Sequence, residues 1–244
     1  MLNSILLILI SLISFFNGTA KANTIAQNFS STSLQTPLKE VALTFDDGPY
    51  GTSTEEVLNI LKTENIHATF FLIGKNVDEY PKIAKEIVDE GNIVGNHTYS
   101  HLKTFNKMSA NDFAKDLIRD EISIASSTGV VPKLFRPPYG NISNTMKSEL
   151  KKEGYTLVLW SVDGKDWSLN KTANQIEDGT VSKTKPYSIL LMHDGHETNN
   201  YPRVNSIEAL PKIIEDLKNK GYTFVTVDKL LETQAYLSGK LGRI

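Results

Sequence analysis

The chain contains no cysteine, and this absence excludes several kinds of site. Without thiol groups it has no disulfide, no thiolate metal ligand and no cysteine nucleophile. The fold must therefore be stabilised by its hydrophobic core, for which a chain of 244 residues is long enough. Any metal site must be built from other side chains.

A large excess of charge of either sign is also missing. The chain has 26 Lys and Arg residues against 28 Asp and Glu residues, so its formal net charge is −2 at pH 7. This balance indicates neither a nucleic-acid partner nor a polybasic membrane-binding segment. Nothing in the composition implies a protein partner.

An apolar run of 12 residues, 5–16, is too short for a comfortable membrane span. It is followed by Ala20-Lys21-Ala22, which matches the small-residue pattern of a signal-peptide cleavage site. We therefore predict that residues 1–22 are a signal peptide, with an uncleaved membrane anchor as the alternative. In either case the protein is expected to be exported, and to be secreted or associated with the cell wall.

The remaining chain is predicted to form one domain. Residues 23–39 are polar and read as a linker, residues 40–236 as the domain, and residues 237–244 as a C-terminal tail. Within the domain, short apolar runs alternate with amphipathic segments, which predicts a parallel α/β architecture. The seven predicted strands are 41–45, 68–73, 92–97, 134–137, 157–162, 188–193 and 223–227.

The unusual polar residues follow the predicted strands at their carboxyl ends. In a parallel barrel these ends meet at one mouth, where active sites lie, whereas an open sheet would let far fewer of them converge. The pattern therefore favours a barrel. The residues concerned are Asp46, Asp47, His97, His101, Arg136 to Tyr139, Asp163, Asp166 and His193.

His97 and His101 are four residues apart, so on one helical turn their rings would project from the same face. Either Asp46 or Asp47 can supply a carboxylate beside them. Two imidazoles and one carboxylate leave coordination positions open for water, which is typical of a catalytic metal site. The other aspartate is then placed to act as a base on that water.

His193 follows a strongly apolar strand and is a candidate acid for protonating a leaving group. Asp163 or Asp166 could pair with it and raise its pKa. Arg136, in the stretch RPPYG, can orient a carboxylate, and the turn that follows can direct a backbone N–H at an oxyanion. The two tryptophans suit a core position and a substrate platform equally well.

Five short motifs, TFDDGP, HTYSH, RPPYG, DGKDW and LMH, occur in the order found in the polysaccharide deacetylases. The chain thus resembles carbohydrate esterase family 4, the nodulation-type deacetylase domain, over about residues 40–231. The resemblance implies a single-domain, distorted (β/α) barrel, often with seven parallel strands. Within this family, the chain most resembles exported bacterial peptidoglycan N-acetylglucosamine deacetylases.

The resemblance implies a hydrolase that removes N-acetyl groups from N-acetylglucosamine residues of a cell-wall polysaccharide and releases acetate. Peptidoglycan is the first expected substrate, and chitin or chito-oligosaccharide is the second. An O-acetyl xylan esterase and a non-catalytic glycan-binding surface protein are the remaining alternatives. The expected partner is the acetylated polysaccharide itself.

The same resemblance implies a role for each residue of the motifs. Asp47, His97 and His101 would bind a divalent metal ion, with Zn²⁺ expected and Co²⁺ or another divalent ion as alternatives. Asp46 would be the general base, oriented by Arg136.

For the rest of the reaction, the resemblance implies that His193 is the general acid, tuned by Asp166, and that the backbone N–H of Tyr139 stabilises the oxyanion. Trp167 and Leu191 would shape the pocket for the acetyl methyl group. Pro137 and Tyr139 would also contact the substrate. The loop 195–206, with Tyr201, is expected to influence the choice of glycan.

Overall fold

The computed structural model describes residues 38–196 and 203–238 of the chain. Its central strand is β1, Glu40–Asp46, of which every residue after Glu40 is buried. This strand pairs in parallel with the second strand on one side and with the seventh on the other. Because both faces of a parallel sheet are covered, β1 is a nearly continuous apolar run instead of an alternating one.

Eight strands form one sheet within these residues, and every ladder is parallel. Seven of them follow the order β5-β4-β3-β2-β1-β7-β6, and β8 pairs with the first residues of β1. The strands are β1, β2 Thr69–Leu72, β3 Ile93–Asn96, β4 Leu134–Phe135, β5 Thr156–Leu157, β6 Val162–Asp163, β7 Ser188–His193 and β8 Thr223–Phe224.

Helices connect the strands and cover the sheet. They are α1 Gly51–Thr63, α2 Gly74–Glu79, α3 Pro81–Asp89, α4 Ala110–Thr128, α5 Asn144–Lys152, α6 Ala173–Val181, α7 Val204–Asn219 and α8 Val227–Leu230. Two 3₁₀ turns, Phe105–Lys107 and Pro138–Gly140, lie in loops at the carboxyl ends of the strands. In the described part of the chain, no helix has both the length and the apolar character that a membrane crossing requires.

Local sequence signals explain where several helices begin and end. Ser109 caps α4 by accepting a hydrogen bond from the backbone N–H of Asp112, and Gly129 ends the helix with a φ of 79°. Gly91 and Gly221 also lie just after helices, with φ values of 84° and 80°.

The sheet curls into a distorted barrel because its two outer strands are consecutive in the chain. Residues 158–161 cross from β5 to β6, and their backbone bonds to β4 on one side and to β7 on the other. The N–H of Val158 donates to the carbonyl of Phe135 at 2.8 Å, and the N–H of Ser161 donates to that of Ile189 at 3.0 Å. The predicted α/β fold class and distorted barrel are therefore confirmed.

The predicted strand 157–162 needs correction, since the structure divides it into β5 and β6. One extended segment cannot remain paired with β4 while it moves across to pair with β7. The predicted strand 223–227 is also shorter than expected, because Val227 already begins α8. An apolar run in the sequence does not show where the strand that it forms changes from one neighbouring strand to another.

Candidate active site

A cavity of about 490 Å³ opens at the carboxyl ends of the strands. Most of the residues that the sequence singled out converge there, as the barrel prediction requires. The lining residues are Asp46, Asp47, His97, His101, Tyr139, Trp160, Asp163, Trp167, Leu191, His193, His196 and Arg203.

Unusual backbone conformations occur at this mouth. In the described part of the chain eight non-glycine residues have positive φ, and five of them lie in the loops that follow the carboxyl ends of the strands. Such conformations cost free energy and are concentrated at functional sites, where the surrounding structure enforces them. The five are Asp47, Thr98, His101, Tyr139 and Lys165.

Asp47 lies between the two histidines of the HTYSH motif. Its Oδ1 is 3.5 Å from Nε2 of His97 and 3.3 Å from Nε2 of His101. All three side chains are buried, and their ligand atoms lie within 4.8 Å of one another. The structure thus brings the three predicted metal ligands together.

The orientation of His97 suits metal binding. Its Nδ1 is 2.7 Å from the carbonyl oxygen of Arg136. A carbonyl oxygen only accepts hydrogen bonds, so Nδ1 carries the proton and donates it. In the neutral ring Nε2 then has a lone pair directed at Asp47, which is the arrangement found in metal-binding histidines.

One carboxylate oxygen of Asp47 lacks a hydrogen-bond partner. Its Oδ1 is buried and has no hydrogen-bond partner, which is uncommon for a carboxylate oxygen. Burial alone raises its pKa, but His97, His101 and His193 outweigh burial and hold the pKa well below its ordinary value. A buried, ionised oxygen facing two imidazole nitrogens fits a divalent cation.

The two histidines converge for a different reason than the sequence suggested. Residues 97–101 form a loop and not a helical turn. Thr98 and His101 have φ values of 70° and 47°, and the N–H of His101 donates to Oγ1 of Thr98 at 3.1 Å. The expectation that their rings meet is right, while the helical explanation for it is wrong.

Asp46 is held by Arg136, which directly follows β4. Nη1 of Arg136 donates to Oδ1 of Asp46 at 2.7 Å and to Oγ1 of Thr44 at 2.8 Å. The guanidinium is fully buried, and burial lowers its pKa while the charge of Asp46 acts in the opposite direction. The other oxygen of Asp46 remains on the cavity side, 3.8 Å from Nε2 of His97.

His193 forms a second carboxylate–histidine cluster across the cavity. Its Nδ1 is 2.8 Å from Oδ1 of Asp166, and its backbone N–H donates to Oδ2 of Asp166 at 2.8 Å. Ser206 donates a further hydrogen bond to that Oδ2 at 2.9 Å. Burial lowers the pKa of His193, but the charge and hydrogen bond of Asp166 and the charge of Asp47 raise it to about 9.

The residues alone left Asp163 and Asp166 open as partners of His193, and the family resemblance implied Asp166; in the structure His193 bonds to Asp166. Asp163 accepts a hydrogen bond from the N–H of Lys165 at 2.6 Å, and Nε1 of Trp167 is 3.4 Å from its other oxygen. Asp163 therefore supports the loop that carries Trp167.

The predicted substrate-binding residues are divided between the lining and the wall behind it. Trp167 and Tyr139 are half exposed in the lining, and Leu191 is a buried part of it. Pro137 is buried outside that lining, and its carbonyl accepts a hydrogen bond from Gly140. Tyr201 lies outside the described residues.

Sequence reasoning missed Arg203 as a residue of the site. Its Nη2 is 3.6 Å from Oδ2 of Asp47, and its Nε donates to the carbonyl of Gly195 at 2.7 Å. The side chain is buried and precedes α7 directly. No motif marks Arg203, so the only signal was its place in the loop suspected of contacting substrate.

Asp194, which was also missed, lies beneath the mouth. It is fully buried and accepts a hydrogen bond from Oγ1 of Thr54 at 2.6 Å. Burial raises its pKa to about 7 despite this hydrogen bond, and the charge of Asp47 adds to the increase. Its position directly after His193 was visible in the sequence, but a buried role for it was not.

Fold and site together define a parallel α/β barrel hydrolase. Its buried Asp-His-His group lies beside the Asp46–Arg136 pair and the His193–Asp166 pair. The profile of the polysaccharide deacetylases matches residues 33–158, slightly more than half of the chain. The chain belongs to the polysaccharide deacetylase family, whose members act on acetylated polysaccharides.

Named relatives and solved structures agree with this family. A peptidoglycan-N-acetylglucosamine deacetylase of Bacillus cereus is 39% identical over 194 residues, which cover 80% of this chain and 69% of the relative. The structure of Bc1960, a peptidoglycan N-acetylglucosamine deacetylase, matches with a TM-score of 0.77 and 36% identity over 82% of this chain and 91% of its own. A family 4 carbohydrate esterase from Streptomyces lividans, in complex with acetate, matches with a TM-score of 0.71 and 34% identity over 83% and 98%.

Proposed function

We propose that this protein removes N-acetyl groups from N-acetylglucosamine residues of peptidoglycan and releases acetate. The observation that carries the proposal is the placement of three groups around one cavity: the Asp47-His97-His101 cluster, the Asp46–Arg136 pair and the His193–Asp166 pair. The names of the Bacillus cereus relative and of Bc1960 support the choice of peptidoglycan.

The residues Asp47, His97 and His101 would hold the metal ion. Two imidazole nitrogens and one carboxylate oxygen are a donor set that Zn²⁺ prefers, and Co²⁺ is the alternative. A divalent ion bound there supplies a Lewis acid, which favours the deprotonation of water and polarises a carbonyl group.

Asp46 acts as the general base in this proposal. Its free oxygen faces the cavity and accepts a proton from the attacking water, whose oxygen forms a bond to the acetamide carbon. Arg136 keeps the carboxylate in one orientation, because it binds the opposite oxygen and is itself held by Thr44.

His193 acts as the general acid on the opposite side. With a pKa raised to about 9 the imidazole is protonated at neutral pH, so it can give its proton to the sugar nitrogen as the carbon–nitrogen bond breaks. The products are acetate and a free amine. The backbone N–H of Tyr139 would stabilise the oxyanion, and Trp167 and Leu191 would enclose the methyl group.

Chitin or chito-oligosaccharide is the second candidate substrate, because it repeats the same N-acetylated sugar.

We also propose that the protein is exported, supported by the apolar run 5–16 and by Ala20-Lys21-Ala22. Amino-terminal sequencing of protein recovered outside the cell would show whether residues 1–22 are removed or kept as an anchor.

The proposal is tested by measuring acetate release from peptidoglycan and from chitopentaose, with zinc and with a chelator. We expect release only with metal, and Asp46→Asn should lower turnover by about 10²- to 10⁴-fold while bound zinc stays constant. Asp89→Asn, which changes an exposed aspartate paired with Lys85, is the matched control.

Full turnover by Asp46→Asn would overturn the assignment of the base. No release from either glycan by a zinc-loaded protein would point to an O-acetylated substrate or to glycan binding without catalysis.

A further inference from the structure

Arg203 is a buried cation in the cavity lining, and the proposed reaction gives it no role. Its side chain is 7% exposed, and its Nη2 lies 3.6 Å from Oδ2 of Asp47, which is within ion-pair distance. Removing a guanidinium from water is costly unless the group is hydrogen-bonded and lies close to a carboxylate. Arg203 is therefore expected to keep a fixed contact with Asp47.

The two carboxylate oxygens of Asp47 have different surroundings. Oδ1 lies 3.5 Å from Nε2 of His97 and 3.3 Å from Nε2 of His101, whereas Oδ2 lies on the side of Arg203. The terminal torsion of an aspartate has a broad, roughly two-fold preference, so a carboxylate without a second contact can turn and exchange its oxygens. Because Arg203 attracts Oδ2, Oδ1 remains directed at the two imidazoles.

Arg203 is itself held in place. Its Nε donates to the carbonyl of Gly195 at 2.7 Å, and its backbone N–H donates to Oγ of Ser53 at 3.4 Å. Arginine suits this position because its planar fork carries several N–H groups, so one of them bonds the backbone while another faces Asp47. A lysine ammonium would have to serve both acceptors from a single nitrogen at the end of a flexible chain.

The backbone of Asp47 is fixed by the same segment. Its φ of 74° is unusual for a non-glycine residue, so the surrounding structure must enforce it. The carbonyl of Asp47 accepts a hydrogen bond from Nδ2 of Asn76 at 2.7 Å. Gly195 packs so closely on this carbonyl that a Cβ at position 195 would collide with its oxygen. The residue that binds Nε of Arg203 therefore also packs against Asp47.

We propose that Arg203 is a positioning residue, whose guanidinium bridges Gly195 and Asp47 and keeps Oδ1 of Asp47 directed at His97 and His101 as a metal ligand. This inference rests on the proposed function, since it takes Asp47 to be a ligand. Loss of an outer partner that orients a ligand typically costs about 10- to 100-fold in metal affinity or activity. The charge of Arg203 alone would repel a divalent cation, so positioning and charge change metal affinity in opposite directions.

The test measures the dissociation constant of Zn²⁺ by competition with a chelator in Arg203→Met and Arg203→Lys. Methionine removes the charge and the N–H groups, whereas lysine keeps the charge and loses the fork. We expect Zn²⁺ to bind at least about tenfold more weakly to Arg203→Met, and Arg203→Lys to recover only part of that loss. In the Co²⁺-loaded proteins the visible absorption bands should change in Arg203→Met, because these bands depend on the arrangement of the ligands.

Lys212→Met is the matched control, because Lys212 is an exposed cation that pairs with Asp216 on α7, the helix that Arg203 directly precedes. It should keep the Zn²⁺ affinity and the Co²⁺ bands of the unmodified protein. Unchanged or tighter Zn²⁺ binding by Arg203→Met, in a variant that a thermal melt shows to be folded, would overturn the inference. If Arg203→Met does not fold, Arg203→Lys decides, and full Zn²⁺ affinity in that variant would overturn the bridging role.

Zinc affinity and acetate release together separate this inference from the proposed function. If acetate is released but Zn²⁺ affinity does not depend on Arg203, the positioning role is overturned and the deacetylase remains. If no acetate is released while Zn²⁺ binds the unmodified protein and binds more weakly to both Arg203 variants, the positioning role stands and the deacetylase proposal is overturned.

Discussion

The cavity contains two clusters of aspartate and histidine that differ in what the histidine does. At Asp47, the ring of His97 donates through Nδ1 to a backbone carbonyl, so its Nε2 is left with a lone pair. Across the cavity, Nδ1 of His193 is bonded to the carboxylate of Asp166, and the pKa of His193 rises to about 9. The hydrogen bonding of His97 therefore suits cation binding, and that of His193 suits proton donation.

In this cavity the partner of Nδ1 distinguishes the two buried histidines. The carbonyl of Arg136 fixes the tautomer of His97, whereas the carboxylate of Asp166 favours the imidazolium of His193. Residue type alone therefore does not separate a metal ligand from a general acid.

The largest effect is expected from breaking the first cluster with His97→Ala. Loss of one of three ligands should leave the purified protein without stoichiometric zinc after dialysis and lower acetate release by more than about 100-fold. Metal analysis and a thermal melt check the result. His193→Ala is the matched control, since it should lose turnover and keep its zinc. Full zinc content in His97→Ala would contradict the assignment of this ligand.

An intermediate effect is expected from Asp166→Asn in the second cluster. The acid must be protonated, so activity falls as the pH rises through the pKa of His193. Removing the negative charge that raises this pKa should move the alkaline limb of the pH–kcat profile to lower pH by about one to three units. The pH profile is the measurement.

Asp163→Asn is the control for that shift, because Asp163 bonds to Lys165 and Trp167 and not to His193. An unmoved limb in Asp166→Asn, or an equal shift in both variants, would show that Asp166 does not tune the acid.

The smallest effect is expected from Ser206→Ala, which removes one of the hydrogen bonds to Oδ2 of Asp166. It should lower the free energy of unfolding by about 0.5–1.5 kcal/mol and move the alkaline limb by less than Asp166→Asn does. Urea denaturation measures the first quantity. Ser182→Ala, at an exposed hydroxyl directly after α6, should cost less, and equal costs would argue against a buried role for Ser206.

Much of the site was predictable because its residues follow buried strands. Asp46 ends β1 and His193 ends β7, and both lie at one mouth because all the strands are parallel. The resemblance of the motifs to those of the polysaccharide deacetylases indicated the family before any contact was known, and the family is confirmed.

Other features could not be derived from the residues alone. Nothing local distinguishes Asp46 from Asp47, whereas the structure places Arg136 against the first and two imidazoles against the second. Arg203 likewise meets Asp47 through a contact between residues far apart in the chain.

The fold class, the strand ends that carry polar residues and the family of the protein could all be predicted from the sequence, because these depend on periodicity and on short motifs. Reasoning from the residues could not separate Asp163 from Asp166 as the partner of His193, nor show that residues 97–101 form a loop, and both depended on the packed structure. The reason is physical: periodicity records which residues are buried, while pairing depends on distances that exist only after distant strands have packed together.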